Sequence, residues 1–444
     1  MTLPDGWVEA TIEEVSSPEN RAIVDGPFGS ALKSEHYVAT GVRVIRLGNV
    51  GDREFLNTDA AFISEERFRE LVSHEAVEGD LITAALGDPL GRTCAVPPDL
   101  GRAIVKADCF RTRLSGQVDS RYVLATLNAP QTRESFVARG RGVGRVRINL
   151  EVLRSTLLPL PPLAEQRRIV AKLDSLTARL GRARAELDRV PVLAKRLRDN
   201  SLRVAFNGTL IEEEGQPRSS WSTVPFERAA EIASNLVDPA EIGALPHIAP
   251  NHISSGLPRL LPYKTIAEDE VISGKHRFFP GQIIYSKIRP YLRKVVLVDF
   301  EGACSADMYP INARCNSRYL MYWMLSPEFT WLATQKEGRT VLPKINQNAL
   351  NSIPTPLAPK PIQAAIASRL DVIFARADRM EAEAARARAL LDRLEAAILA
   401  KAFRGELVPQ DPKDEPASVL LDRIRAQRAA APKAKRGGRD TAHG

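Results

Sequence analysis

Nine residues, RGRGVGRVR, hold Arg139, Arg141, Arg145 and Arg147 with three glycines between them. A second basic stretch, SKIRPYLRK, sets Lys287, Arg289, Arg293 and Lys294 around Tyr291. A guanidinium offers a planar fork of donors that matches a phosphate or the O6/N7 edge of guanine, and a glycine lets backbone come close to a ligand. Lys33, Arg46, Asn49 and Arg339 join these as candidate DNA contacts. Each loop taken alone could equally be a solvated basic face. The chemistry these residue types can do is recognition of nucleic acid, not the making or breaking of bonds.

The patterns of bond-making sites are missing from the sequence. GPFGS (Gly26–Ser30) is glycine-rich but lacks the Lys-Ser/Thr of a phosphate loop. There is no GxSxG, no HExxH and no Asn/Asp-Pro-Pro-aromatic tetrapeptide, and Pro98-Asp99 is not followed by the Asp/Glu-x-Lys of a metal nuclease. Cys94, Cys109, Cys304 and Cys315 are far apart, so they read as reduced thiols and not as a zinc or disulfide set. His247 and His252, five apart, are weak as metal spacing. The expectation is a chain without catalytic residues that binds no metal or cofactor directly.

What positions the basic loops is visible as a duplication. Setting Ile148 against Ile345 and walking forward, the offset stays at 197 without a gap as far as Leu210 against Leu407, and more than a third of the pairs are identical. Asn149/Asn346, Pro159/Pro356, Gln166/Gln363, Asp174/Asp371, Phe206/Phe403 and Gly208/Gly405 are among them, and the offset reaches back to Ser120–Tyr122 and Ser317–Tyr319. This period is far too long for a solenoid. Each copy is a whole module: a globular part, then a proline-rich lead-in, then a long helix. Trp7 and Trp221 open the globular parts at an offset of 214, so the first is 17 residues longer. The copies match in the helices and diverge in the globular parts, as expected of one scaffold presenting two different readers.

Between Ile362 and Phe403 there is neither Gly nor Pro, enough for a helix of roughly 60 Å. Its apolar residues Ile366, Leu370, Ile373, Ala377, Met380, Ala384, Ala387, Leu391, Leu394 and Ile398 alternate in steps of four and three, the a/d seam of a coiled coil. The first copy gives Ile169, Leu173, Leu176, Leu180, Ala183, Leu187, Val190, Ala194, Leu197 and Ser201. Either seam alone would be an exposed apolar stripe, so each is the expected partner of the other. Pro191 is expected to kink the first helix or start a new segment, and Gly208 and Gly405 to stop the helices. The proline lead-ins are expected to fix the angle between globular part and rod.

The globular parts mix short β-like runs such as VRVIRLGNV, GDLITAAL, GQIIYSKI and KVVLV with Gly/Pro turns, and GDLIT and GQIIY read as equivalent strands. No apolar run is long enough to span a membrane, and the N-terminal residues lack the pattern of a signal peptide, so a cytoplasmic protein is expected. The net charge is +8, of which residues 423–444 carry +6. The segment 411–444 is therefore expected to be a disordered basic tail, with everything beyond about Arg423 dispensable for sequence choice.

A proline-rich entry, a long helix, and AFNGTL or AFRGEL at its end, occurring twice, with Glu165-Gln166 after the first prolines, resemble the specificity subunit of type I restriction–modification systems. GPFGSALK and GDLIT are similar to stretches of that family's target recognition domains. Glu165 departs from a strict repeat, being matched by Ile362. The resemblance implies an α+β chain in which two similar α/β target recognition domains, 1–157 and 211–354, are joined by spacer helices, 158–210 and 355–410. The helices would form an antiparallel intramolecular coiled coil. Each domain would read one half of a split, asymmetric double-stranded DNA site. Two methyltransferase subunits would transfer methyl groups from S-adenosylmethionine to adenine N6, and motor–nuclease restriction subunits would use ATP and Mg2+. None of these cofactors would bind this chain. Two alternatives stay open: a related system whose methyltransferase and nuclease are fused in one partner, and a coiled-coil scaffold that reads no sequence.

Overall fold

The structure is a computed structural model and describes residues 3–142, 144–210, 220–335 and 343–430. The chain divides into two compact units, one built from Met1–Arg184 with Arg388–Gly444, the other from Ala185–Ala387. Each long helix therefore contributes to both units.

In the first unit the globular part is closed by Val8–Thr11 pairing antiparallel with Leu157–Leu160. That strand runs across the expected boundary at residue 157, and the globular part ends with it. Next comes an antiparallel inner sheet, in the order Ile23–Asp25, Cys109–Thr112, Leu81–Ala84 and Thr93–Ala95. Leu81–Ala84 is buried at all four positions. Both of its faces are covered, which is why it reads as an unbroken apolar run and not an alternating one. Leu81, Phe110 and Ile23 pack under the helices Ser120–Leu127 and Pro130–Arg139 through Val123, Leu127 and Phe136. Ile82, Ala84 and Cys109 pack instead against Ile45 and Val105 of an outer sheet. The outer sheet has the order Tyr37–Val38, Ala61–Ile63, Val42–Ile45, Ala103–Val105 and Glu75–Ala76, with Val42–Ile45 and Ala103–Val105 parallel.

The second unit repeats the closing pair, Ser222–Pro225 with Pro354–Leu357, and the inner sheet, Ala230–Ile232, Met308–Ala313, Ile283–Ser286 and Val295–Leu297. Leu81–Ala84 and Ile283–Ser286 occupy the same place, so GDLIT and GQIIY are equivalent strands. The outer sheets share three strands. His247–Ile248 runs parallel to Gly302–Cys304, and Lys275–Phe278 lies antiparallel on its other side. They differ in what is added. The first unit extends the edge at Val42–Ile45 with two strands, and the second extends the opposite edge, at Lys275–Phe278, with Leu236–Val237. In strand topology the two units differ in this layer and agree in the inner sheet.

The long helices are Leu163–Phe206 and Lys360–Phe403, 44 residues each. Pro191 lies inside the first, which runs on past it, so no new segment starts there. Gly208 and Gly405 follow the helix ends with φ of +90° and +75°. In the first unit Ile169, Val170 and Leu173 pack with Leu399, Ala402 and Phe403. In the second, Leu202, Ala205 and Phe206 pack with Ile362, Ile366, Leu370 and Phe374. Within each unit the start of one helix meets the end of the other, so the pairing is antiparallel. Leu180 is buried, and Leu176, Leu187, Ile373, Met380, Leu391 and Ile398 are half-buried along the seam.

Two seam residues were misplaced. Leu197 and Leu394 are 37% and 49% exposed, while Arg198 and Glu395 turn inward. The inward residues step from Val190 to Ala194 to Arg198, and from Ala387 to Leu391 to Glu395. Two successive steps of four bring the local period back to that of a straight helix, away from the 3.5 of a heptad. The slip falls at the same repeat position in both copies.

The lead-ins are clamped identically. Tyr122 and Tyr319 donate their hydroxyls to the carbonyls of Pro159 and Pro356, at 2.7 and 2.8 Å. Gln166 accepts from the Asp119 amide and donates to the Pro161 carbonyl; Gln363 does the same with Asn316 and Ala358. Arg121 pairs with Asp174, and Arg318 with Asp371. Prolines supply carbonyls in a fixed direction, and the tyrosine and glutamine lock the globular part to the helix that follows.

The expected disordered tail is a folded element in part. Ala417–Ala430 is a helix whose Ala417, Leu420, Leu421 and Ile424 are buried with Ile12 and Val15 of the first unit. Its apolar positions were hidden among charges, which is why composition suggested disorder. Residues 431–444 lie outside the described residues.

Candidate nucleic-acid interface

Each basic loop lies at the end of its own unit's inner sheet, at adjacent but not equivalent positions of the common framework. In the first unit, residues 85–92 connect Leu81–Ala84 to Thr93–Ala95 and lie beside residues 147–148, with the Ile148 amide donating to the Ala85 carbonyl and a bridge between Leu86 and Arg147. In the second, residues 287–294 make the same connection, with Ile345 donating to Lys287 and a bridge between Ile288 and Lys344. The strand ends define the equivalence. Gly87 and Gly91, with φ of +123° and +74°, correspond to Arg289 and Arg293, both at φ +49°. Left-handed backbone is costly for a side chain with a Cβ, by roughly 1–2 kcal/mol. In this loop the second unit bears that cost twice, at arginines.

The two arginines are used differently. Arg293 is largely buried and holds Asp199, on the first long helix, at 2.6 Å, with a further bond to the Leu325 carbonyl at 3.4 Å. Lys294 donates to the Pro250 carbonyl at 2.6 Å, and burial followed by the charge of Arg289 lowers its pKa. Lys287 lies over the Tyr309 ring, half-buried, its pKa lowered first by burial and then by Lys344. Arg293 and Lys294 are therefore internal ties and not contacts offered to a ligand. Arg289 and Tyr291 are exposed, and among the described residues the Arg289 guanidinium has no hydrogen bond or ion pair.

In the first unit the arginine-rich stretch is a hairpin whose base is the mutual backbone pairing of Arg141 and Arg147. A Cβ on Gly142 would stand 2.5 Å from the Arg145 carbonyl oxygen, so this glycine serves the fold of the loop itself. Arg139 donates to the Ser155 hydroxyl and Arg147 pairs with Asp108 at 2.7 Å. The second pairing recurs as Lys344 with Asp307 at 3.2 Å, which marks it as part of the common framework. Arg141 and Arg145 are exposed, and among the described residues their guanidiniums have no partner. Beside them Arg139, Arg141, Arg147, Asn149, Glu151 and Ser155 line a groove of about 460 Å³.

The remaining candidates divide. Lys33 is exposed with a long 3.6 Å pairing to Glu35. Arg46 holds Asp59 at 2.5 Å. Asn49 is 1% exposed, accepts from the Arg46 amide and donates to the Leu56 and Thr58 carbonyls. It is the internal brace of its loop and does not face a ligand. Arg339 lies outside the described residues. Sequence reasoning missed Phe28, 49% exposed beneath the Arg147 guanidinium, whose signal lay in GPFGS. It also missed Arg53 and Arg259, which pair with Glu395 and Asp378 and tie each globular part to a long helix of its own unit.

Residues 34–187 match the family model described as the type I restriction modification DNA specificity domain. The specificity subunit of the type I restriction enzyme EcoDI of Escherichia coli is 41% identical over 331 residues, which cover 67% of this chain and 74% of that protein. The chain belongs to the specificity subunits of type I restriction–modification systems. The EcoBI specificity subunit of Escherichia coli is 26% identical to this specificity subunit over 97% of it and 94% of the relative. A solved HsdS subunit from Thermoanaerobacter tengcongensis shares the fold, with TM-score 0.59 and 20% identity over 92% of this chain and 99% of that one. A chain from a study of type I R-M complex assembly and conformational transition reaches 0.66 at 20% identity, covering 92% of this chain and 100% of that one. Among the described residues of this specificity subunit no cluster of side chains could hold a metal ion, and no helix is long and apolar enough to cross a membrane. Cys94, Cys109 and Cys304 are buried free thiols, each pushed up to about 12 by burial.

Proposed function

We propose that this specificity subunit reads a bipartite, asymmetric double-stranded DNA site, with one half-site read by each globular part and the long helices setting the gap. The observation that carries this is the contrast between the two units. Clamps, inner sheet and helices repeat, while outer-sheet edges and free basic residues differ. Arg141 and Arg145, with Lys33 and Phe28 of the same unit, serve one half-site; Arg289 and Tyr291 serve the other. Arg293 and Lys294 hold the second loop in shape. Two methyltransferase subunits carrying S-adenosylmethionine methylate adenine N6, and motor–nuclease subunits using ATP and Mg2+ restrict unmodified DNA; this chain supplies the address and no reacting group. The test is replacement of residues 1–160 by the corresponding domain of a relative with a different target, followed by mapping of N6-methyladenine in host DNA. One half of the methylated motif should change while the other half and the spacing persist. Change in both halves, or in neither, would refute the two-reader assignment.

A further inference from the structure

The inward-turning charges of the two long helices form a code. In the first unit Arg184 of the first helix pairs with Glu395 at 2.8 Å and Asp392 at 2.7 Å on the second. In the second unit Arg198 of the first helix, its side chain 5% exposed, pairs with Glu381 at 2.7 Å and Asp378 at 2.5 Å on the second. Under the 197-residue repeat, Arg184 corresponds to Glu381, Arg198 to Glu395 and Lys195 to Asp392. The same two places are therefore occupied in both units with the signs exchanged between the copies. The first helix is cationic at both, and the second is anionic at both.

Duplicated helices could in principle also pair like with like between two copies of the chain. In the register seen here, two first helices would set Arg184 against Arg198 and Lys195, and two second helices would set Glu381 against Glu395 and Asp392. Like charges brought together at a partly desolvated seam oppose association, and charged or polar seam residues are a known means of choosing partner and register. We propose that Arg184, Arg198, Glu381 and Glu395 select the pairing of unlike helices within one chain and exclude like-with-like association of two chains. The apolar seam residues also differ in size between the copies, as at Leu180/Ala377 and Ala183/Met380, but only the charged positions make like-with-like pairing repulsive.

The test co-expresses two differently tagged full-length chains, purifies through one tag and measures how much of the other follows. Wild-type chains should scarcely mix. Chains carrying Arg184→Leu, Arg198→Leu, Glu381→Leu and Glu395→Leu should melt no lower than wild type and mix at least tenfold more. A complementary arm pairs a chain carrying Glu381→Lys and Glu395→Lys, cationic on both helices, with one carrying Arg184→Glu and Arg198→Glu, anionic on both. These two should co-purify with each other, less so as salt is raised, and neither should with a second copy of itself. Wild-type chains that mix as readily as the leucine variant would overturn the proposal. So would a complementary pair that mixes no better than either chain alone, and this arm decides the matter if the leucine variant does not fold.

Discussion

Arg289 and Arg293 adopt the same left-handed backbone, yet only one of them has an internal use. Arg289→Gly should therefore raise stability by about 1 kcal/mol, measured by chemical unfolding, while weakening methylation of the second half-site. Arg293→Ala should do the reverse, costing about 1–3 kcal/mol because half-buried Asp199 loses its 2.6 Å partner and keeps only Lys195 at 3.5 Å, with the methylated motif unchanged. Glu165 shows why a departure from a repeat can be informative. It accepts from the Trp7 indole at 3.0 Å, and burial, only partly offset by that bond, raises its pKa above the ordinary 4.5. A raised carboxyl pKa means that the folded chain holds the proton more tightly than the unfolded one. The contribution to stability is thus present at low pH and is lost as pH rises from about 4.5 through the folded value. Glu165→Gln keeps an acceptor for Trp7 without the charge, so its stability relative to wild type should increase across that window, as read from melting temperatures at a series of pH values. Residue types and clustering were legible in the sequence. Whether a given arginine faces solvent or an internal carboxylate was not, because Asp199 and Arg293 are far apart in the chain and nothing local marks them as partners.

At the scale of elements, the lead-in clamps and the helix seam are separable contributions. Tyr122→Phe and Tyr319→Phe each remove one hydroxyl from a proline carbonyl, and each should cost about 1–2 kcal/mol by denaturant unfolding, by similar amounts since the two clamps share one geometry. The duplication, the long helices and the equivalent strands could be read directly, since an ungapped offset and a run without Gly or Pro are strong local signals. The placement of Leu197 and Leu394 could not. A heptad and a straight helix differ by a fraction of a residue per turn, and the sequence offered a leucine at the heptad position beside a charge at the true one. Burying a charge is expected to lose that competition unless a partner stands opposite, and the partners Glu381 and Arg184 come from the other helix. Pro191 is a similar case, since local chemistry argued for a break and the helix nonetheless runs on.

For the whole molecule, the helix Ala417–Ala430 turns what composition marked as tail into part of the first unit. Arg425 pairs with Glu14 at 2.8 Å and Arg428 donates to the Glu13 carbonyl at 2.6 Å, around the buried Leu420, Leu421 and Ile424. Removal of residues 431–444 should leave the melting temperature unchanged and weaken DNA binding only at low salt. Removal from residue 417 onward should uncover Ile12 and Val15 and lower the stability of the first unit by about 3 kcal/mol or more, seen by proteolysis of residues 1–160. The division of the chain has a consequence for its synthesis. The second unit is one continuous stretch, Ala185–Ala387, whereas the first needs residues from both sides of it. About two hundred residues separate Arg184 from Arg388, which at elongation rates of about 5–20 residues per second is roughly ten to forty seconds. On the ribosome every residue of the second unit has been made before the first unit's last helical parts, Arg388–Phe403 and Ala417–Ala430, so the unit begun first is the unit completed last.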